Sequence, residues 1–166
     1  MRVNYWLIFL AVLIGIDATA QKRYKQVIAE EIDSSKDVAY GKAMNIKGEE
    51  EVLLLDVFRP AHDSVQHRPL LIFIHGGGFQ NNSKTGHYSS RLCRQFAKQG
   101  YVTATINYRL GVEKPKGDQQ YQEAMYRAQQ DGKAAIRFFR RYAEQYGIDT
   151  SQLFITGSSA GSMTCL

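Results

Sequence analysis

The residues best suited to chemistry in this chain are Ser159 and the small residues around it. Residues 157–161 are Gly-Ser-Ser-Ala-Gly and directly follow the largely apolar run 153–156. A Gly-x-Ser-x-Gly sequence between a strand and a helix is typical of a tight bend that strains the serine backbone and presents its hydroxyl. Glycine is needed on both sides because strand and helix pass too closely for a Cβ atom. The pattern predicts that Ser159 is an attacking nucleophile.

A second glycine-rich segment lies upstream. Residues 75–79 are His-Gly-Gly-Gly-Phe and follow the apolar run 70–74. Acyl transfer places negative charge on the carbonyl oxygen, and consecutive glycines allow backbone N–H groups to approach that oxygen and stabilise it. The alternative is a glycine-rich turn and a tight bend that do no chemistry. Because both segments occur in the right order, each after a predicted strand, the chemical interpretation is favoured.

The elements that must hold these two segments can be predicted from hydrophobic patterning. Apolar or β-branched runs predict strands, and apolar residues at helical spacing predict helices. Alternating strands and helices with continuously apolar central strands predict an α/β fold, with a mainly parallel sheet and helices on both faces. The predicted strands are 25–33, 38–46, 51–58, 70–74, 101–107 and 152–156, the first two at an edge, and the predicted helices are 90–99 and 118–146.

The first twenty residues have the pattern of a secretory signal. Arg2 supplies a positive charge, residues 6–16 form an apolar core, and Ala-Thr-Ala at 18–20 fits a cleavage site. An uncleaved membrane anchor is the alternative, but eleven apolar residues are fewer than the ~20 that a spanning helix needs. We therefore predict a signal peptide over residues 1–20, a secreted or periplasmic location, and no stable membrane span after cleavage.

Composition argues against several other classes of function. The formal net charge is +5, and the cluster of Arg137, Arg140 and Arg141 is better explained as a solvated helix face than as a nucleic-acid site. No nucleic-acid-binding module is recognisable. The four histidines and two cysteines do not have the spacing of a metal site. The sequence thus predicts no nucleic-acid partner, no metal and no cofactor.

Taken together, the motifs resemble those of the α/β-hydrolases of the carboxylesterase and lipase type, including the hormone-sensitive-lipase-like branch. The resemblance covers about residues 50–166, and it implies that residues 21–166 are the N-terminal part of an α/β-hydrolase domain. The segments that carry it are 75–79, Ile-Asn-Tyr-Arg-Leu-Gly at 106–111, Gln-Asp-Gly at 130–132, Ala-Ala-Ile-Arg-Phe at 134–138, Tyr-Gly-Ile-Asp at 146–149, and 157–161.

The resemblance also implies roles for individual residues. The oxyanion donors of the family are backbone N–H groups at positions that match Gly77, Gly78 and Ala160 in this chain. The position of His75 belongs to the framework of the loop and is not the catalytic base. Tyr108 and Arg109 are expected to stabilise the fold. The helices that carry Cys93 and Cys165 cover opposite faces of the sheet in this family, so two separate buried thiols are expected.

The catalytic base and acid have no counterpart at the expected places. A serine hydroxyl needs a base, and the base needs an orienting carboxylate. In the resembled fold both partners follow the serine, whereas the four histidines of this chain precede Ser159 and only five residues follow Gly161. We therefore expect the fold to be truncated after the nucleophile and the 166 residues alone to be an inactive fragment.

The function implied by the resemblance is hydrolysis of carboxylic esters through an acyl-enzyme. Small esters are the leading substrate class, and acylated polysaccharide is a candidate because the chain is expected to be exported. One alternative is a serine peptidase of the same fold, although the glycine triplet before Phe79 favours an esterase. The other is a non-catalytic hydrolase-fold protein that serves in binding.

Overall fold

Residues 23–113 and 117–165 are described by a computed structural model of the chain. Within these residues the chain forms a five-stranded sheet flanked by helices. The strands are β1 (Ile32–Met44), β2 (Glu50–Pro60), β3 (Arg68–Ile74), β4 (Val102–Ile106) and β5 (Ile148–Gly157). The helices are α1 (His87–Lys98), α2 (Asp118–Arg141), α3 (Ala143–Tyr146) and α4 (Ala160–Thr164).

The strands are arranged in the order β1-β2-β4-β3-β5. Strands β4, β3 and β5 run parallel, while β2 pairs antiparallel with β4 and β1 pairs antiparallel with β2. Ile74 at the end of β3 lies opposite Gly157 at the end of β5. The segments that follow these two strands therefore begin side by side at one edge of the sheet, where ligands bind in open α/β folds.

Helices cover both faces of the sheet, as predicted. Because side chains alternate along a strand, Leu70, Ile72 and Ile74 face one layer and Phe73 faces the other. The first layer is the larger core and includes the buried side of α2; the second joins Phe58 and Phe73 to α1. The members from α2 are Ala124, Ala128, Ala135 and Phe139, and those from α1 are Cys93 and Ala97.

Several predicted elements differ from the observed ones in their bounds. The strand predicted at 38–46 forms the second half of the edge strand β1, whereas the separate strand predicted at 25–33 is wrong over most of its length. β1 begins only at Ile32, and Ile28 instead donates its N–H to the Lys98 carbonyl at the end of α1. The long helix ends at Arg141 because Tyr142 leaves the helical region, with φ −107° and ψ 24°. Strand β5 begins four residues earlier than predicted, at Ile148.

The predicted signal peptide lies outside the described residues. No helix in the described parts of the chain is long and apolar enough to span a bilayer. The two cysteines are unbonded and lie on opposite faces, with Cys93 against Phe58 and Phe73, and Cys165 against the larger core. Cys93 is buried as expected, but Cys165 is only half-buried, so the expectation of two buried thiols is wrong for the second.

Candidate active site

Ser159 lies in the tight bend between β5 and α4 and has an unusual backbone conformation. Its φ is 51° and its ψ is −121°, in a region that residues with a Cβ atom rarely adopt. Strained backbone of this kind persists only where the surroundings enforce it, and it is concentrated at functional sites. The Ser159 side chain belongs to an exposed residue. The bend thus has the strain and the accessibility that the sequence predicted.

Glycine is required on either side of Ser159 because backbone passes very close. A Cβ atom on Gly157 would overlap the backbone of Gly161, and a Cβ atom on Gly161 would overlap the carbonyl of Ile74. Ser158 donates its N–H to the same Ile74 carbonyl at 3.2 Å. These contacts seat the bend on the end of β3.

Ala160 is the first residue of α4, a position that matters for its amide group. The first N–H groups of an α-helix have no acceptor within the helix. The next turn of backbone is already engaged, because Gly161 donates to the Ser158 carbonyl at 2.9 Å and Ser162 donates to the Ser159 carbonyl at 2.9 Å. The Ala160 N–H therefore has no acceptor within α4 and can donate only to a group outside the helix.

The glycine loop forms a closed turn beyond β3. Gly77 and Gly78 have φ values of 125° and 62°, which favour glycine. The Gly77 carbonyl accepts hydrogen bonds from Gln80 at 3.1 Å and from Asn81 at 3.3 Å. In the described parts of the chain, the amides of Gly77 and Gly78 donate no hydrogen bond. The turn is thus held through its carbonyl, and its two glycine amides remain unengaged.

Phe79 anchors this turn to the segment that follows β4. It is buried, its φ is 58°, and its carbonyl accepts hydrogen bonds from Gly111 at 2.8 Å and Val112 at 3.2 Å. Its ring also meets the ring of Tyr108 edge-on, with centroids 6.1 Å apart. The glycine loop is therefore held by the segment that follows β4 as well as by β3.

The two glycine-rich segments are in direct contact. A Cβ atom built on Gly76 would lie 2.9 Å from the Ser158 carbonyl oxygen and 3.3 Å from the Ser159 Cβ. The glycine loop and the bend that carries Ser159 therefore lie against each other at the carboxyl edge of the parallel strands.

His75 is engaged in holding the loop. It is buried, its Nδ1 lies 2.7 Å from the Gly76 carbonyl oxygen, and its ring stacks on Tyr108 with centroids 4.4 Å apart. The Tyr108 hydroxyl donates to the His75 carbonyl at 3.0 Å. Burial lowers the pKa of His75, although its bond to Gly76 acts in the opposite direction. These contacts fit the framework role that the resemblance implied for this position.

Arg109 forms a buried ion pair with Asp131 of α2. Its Nη2 lies 2.7 Å from Oδ1, its Nε lies 3.0 Å from both carboxylate oxygens, and its backbone N–H donates to Oδ2 at 2.8 Å. Arg109 Nη1 also donates to the Met44 carbonyl at the end of β1, at 2.9 Å. Arg109 therefore links the segment after β4 to α2 and to β1, and none of these bonds is with Ser159.

Asp56 and Lys84, which were not predicted from the sequence as functional residues, form a buried ion pair with Nζ 2.6 Å from Oδ1. A signal existed for Asp56, because it is a carboxylate within the apolar strand predicted at 51–58. A buried charge requires a partner of opposite sign. The identity of that partner, 28 residues away on the loop after β3, could not be inferred from spacing.

The described residues contain no base bonded to Ser159. His62, His67 and His87 are exposed, and no hydrogen bond in the described part of the chain joins the Ser159 hydroxyl to a histidine or a carboxylate. The described residues therefore place an exposed serine beside a glycine loop whose Gly77 and Gly78 amides donate no hydrogen bond within the described parts of the chain.

Comparison with known proteins gives matches that include several named esterases and a neuroligin-like protein of Caenorhabditis elegans. The profile of the BD-FAE family matches residues 55–166. Gut esterase 1 of Caenorhabditis elegans is 32% identical over 117 residues, which are 68% of this chain and 20% of that protein. Human carboxylesterase 3 is 28% identical over 141 residues, which are 80% of this chain and 23% of that protein. The chain thus spans about a fifth of the length of these curated relatives.

Solved structures agree with these matches. Thermogutta terrifontis esterase 2 superimposes with a TM-score of 0.58 and 25% identity, covering 82% of this chain and 45% of that one. That structure is described as phosphoramylated by tabun.

Proposed function

The chain belongs to the BD-FAE family and is an α/β-hydrolase of the carboxylesterase type, and from this premise we propose that Ser159 is the nucleophile of an ester-hydrolysing site. We further propose that the amides of Gly77, Gly78 and Ala160 form its oxyanion hole. The observation that supports this proposal is the contact between the Gly76 backbone and Ser159, because Gly76 directly precedes the two glycines whose amides are unengaged in the described residues.

In the first half of the proposed reaction, the Ser159 hydroxyl oxygen attacks the ester carbonyl carbon as a base takes the hydroxyl proton. The carbonyl oxygen becomes an oxyanion and accepts hydrogen bonds from the three amides. Each such donor is worth ~10²–10³ in rate, because it is preorganised toward charge that develops in the transition state. Collapse of the tetrahedral intermediate breaks the C–O bond and releases the alcohol, which takes the proton from the base.

In the second half, water attacks the acyl-enzyme with help from the same base and releases the carboxylic acid and free Ser159. We assign the base to a histidine oriented by a carboxylate, both outside the described residues. His75 is unsuited because its Nδ1 is bonded to Gly76 and its ring is packed on Tyr108. The reaction as proposed uses no metal and no cofactor.

Small carboxylic esters are the proposed substrates, supported by relatives that are named esterases. Acylated polysaccharide is the second substrate class that we propose, because the predicted signal peptide would place the protein outside the cytoplasm. A secreted or periplasmic location is part of this proposal.

The experiment compares Ser159→Ala with Ser158→Ala in the intact natural protein. Both variants remove one hydroxyl from the same bend, so Ser158→Ala is a matched control. We expect Ser159→Ala to abolish hydrolysis of p-nitrophenyl acetate and labelling by a fluorophosphonate probe, and Ser158→Ala to retain both. Full activity in Ser159→Ala would refute the assignment.

Two further outcomes separate the alternatives. Cleavage of peptide substrates at a rate comparable with that of p-nitrophenyl acetate would favour a serine peptidase. Absence of both hydrolysis and labelling in the folded, intact protein would favour a binding role for the fold.

A further inference from the structure

A cluster of four charged residues joins β1 and β2 to the loop between β3 and α1. Asp56 of β2 is 1% exposed and receives Lys84 Nζ at 2.6 Å on one oxygen and Lys36 Nζ at 2.8 Å on the other. Lys84 also lies 2.8 Å from the Asp37 carboxylate. We call Lys36, Asp37, Asp56 and Lys84 the Asp56 cluster. Its two central members are buried, so water screens their interaction only weakly.

Strand β1 is irregular at the point where it reaches this cluster. Its register with β2 shifts between Ser35 and Val38, and Asp37 has a φ of 53°. The bulge turns the Asp37 backbone so that its N–H donates to Asp56 Oδ1 at 3.0 Å. Bulges of this kind redirect side chains and are common near active sites. Regular pairing of β1 with β2 is thus interrupted at Lys36 and Asp37, the two residues of β1 that belong to the cluster.

Lys84 fastens the loop between β3 and α1 through its backbone as well as its side chain. Its N–H donates to the Asn107 side-chain oxygen at 2.7 Å. Asn107 is itself held, since its N–H donates to the Leu54 carbonyl at 2.8 Å and its carbonyl accepts the Tyr40 hydroxyl at 2.5 Å. Lys84 is therefore bound to β2 by its ammonium group and to the end of β4 by its amide.

Only two residues separate this anchor from the turn that carries the oxyanion amides. The turn is closed by hydrogen bonds from Gln80 and Asn81 to the Gly77 carbonyl. Asn81 packs so tightly on Gly77 that a Cβ atom there would overlap the Asn81 carbonyl. A shift of Lys84 would consequently move Asn81 and, with it, Gly77.

Stability alone does not account for such a cluster. Replacing a buried ion pair by apolar residues is often neutral or stabilising, because both charges must be removed from water. Burial on its own would raise the pKa of Asp56 and lower that of Lys84. The other contacts of the cluster together outweigh burial: Lys36, Lys84 and the Asp37 N–H lower the pKa of Asp56, and Asp37 and Asp56 raise that of Lys84. Both groups are therefore charged at neutral pH, and their attraction fixes the geometry of the loop.

We propose that Lys84, held by Asp56 and Asp37, is a positioning residue that sets the placement of the Gly77 and Gly78 amides. This inference rests on the proposed function, in which those amides receive the oxyanion. Within the described residues, the side chain and the N–H of Lys84 bond to Asp37, Asp56 and Asn107 and not to Ser159, so in this proposal Lys84 acts through the loop.

The test is Lys84→Met in the intact protein, with p-nitrophenyl acetate as substrate and active sites counted by a fluorophosphonate titration. Misplacement by about 1 Å can reduce rate by about 10²-fold, and oxyanion contacts act mainly in the transition state. We expect kcat per titrated site to fall about 10- to 100-fold while KM changes by less than about threefold. Lys84→Arg, which keeps the charge, is expected to recover part of the loss.

Lys42→Met is the matched control. Lys42 lies on β1 and pairs with Glu50 at 2.9 Å, but both side chains are more than half exposed. We expect it to leave kcat per titrated site unchanged. A merely structural role for Lys84 would reduce the number of titratable sites and leave kcat per site unchanged, and that result would overturn the proposal.

Asp37→Asn provides a second variant, because Asp37 is exposed and its loss leaves the Lys84–Asp56 pair in place. If Lys84→Met does not fold, a several-fold loss of kcat per site in Asp37→Asn supports the proposal, and an unchanged value overturns it. If Ser159→Ala remains active, the proposed function fails and this inference fails with it. If Ser159→Ala is silent and the Lys84 and Asp37 variants are unimpaired per site, this inference alone fails.

Discussion

Gly76 lies against Ser159 so closely that a Cβ atom on the glycine would be 3.3 Å from the Cβ of the serine. The contact follows from the sheet, because Ile74 and Gly157 are partners in the pairing of β3 with β5. Each strand ends at the same level, and the two segments that continue from them meet at once. The absence of a side chain at position 76 is thus a condition for bringing the loop and the bend together.

Gly76→Ala should impair catalysis more than folding. The added methyl would lie 2.9 Å from the Ser158 carbonyl oxygen, and because that oxygen belongs to the backbone, the loop or the bend must shift. A displacement of about 1 Å is sufficient for a loss of about 10²-fold in kcat. The measurement is kcat for p-nitrophenyl acetate in the intact protein, with circular dichroism as a check on folding.

Gly41→Ala is the control for this substitution. The nearest atom to a Cβ at Gly41 is Leu53 Cδ1 at 3.7 Å, an ordinary contact. It should leave kcat unchanged. Equal losses in the two variants would contradict the importance that we give to the Gly76 contact.

Tyr108→Phe should lower the free energy of unfolding by about 1–3 kcal/mol, because the buried His75 carbonyl loses the hydroxyl that donates to it. Urea denaturation of the purified chain measures this difference. Tyr126→Phe serves as the comparison, since Tyr126 is 63% exposed and its substitution should change stability by less than about 0.5 kcal/mol. Similar values for the two variants would indicate that the bond to His75 contributes nothing measurable.

Asp131→Asn should destabilise the chain by about 3–5 kcal/mol. The substitution leaves the Arg109 guanidinium buried without a counter-charge, which is the costly way to break an interior ion pair. Lys42→Met breaks a pair in which both side chains are more than half exposed and should change stability by about 0–1 kcal/mol. Denaturant midpoints of the two variants test the contrast, and a small effect of Asp131→Asn would contradict it.

The parts of the fold that local pattern dictates were predictable from the sequence. The apolar runs at 70–74 and 101–107 are β3 and β4, which are buried on both faces. The Gly-x-Ser-x-Gly segment forms the bend between β5 and α4, as predicted from its position after an apolar run. In each case the signal lies within one short segment: an apolar run for the strands, and glycines at positions without room for a Cβ atom for the bend.

Long-range partners were not predictable, because spacing along the chain says nothing about which buried charges meet. Asp131 lies on the apolar stripe of α2, between Ala128 and Ala135, so its burial was detectable, but its pairing with Arg109 depends on how α2 crosses the end of β4. The first half of strand β1 was not predicted as part of that strand for a related reason. This exposed, polar half forms a strand only because β2 pairs with it across a bulge.

The stability of the chain should fall as the pH decreases through the range in which histidine titrates. Burial holds the pKa of His75 below its ordinary value of 6.5. In the unfolded chain His75 has its ordinary pKa, so below about pH 6.5 the unfolded state binds a proton that the folded state does not. Because the unfolded state then binds more protons, the free energy of unfolding decreases as the pH falls from about 6.5 toward the pKa of the folded state.

The contribution of His75 is isolated by comparing two variants between about pH 5 and pH 7 in urea denaturation. His75→Asn removes the titrating ring while keeping a side-chain N–H near the Gly76 carbonyl, so it should be less stable overall but lose part of the pH dependence. His87→Asn removes an exposed histidine and should keep the slope of the parent chain. Shifts at Asp56 and Asp63, whose pKa values are lowered from 3.8, act at lower pH and are common to all three proteins. A slope unchanged in His75→Asn would show that the buried ring does not resist protonation.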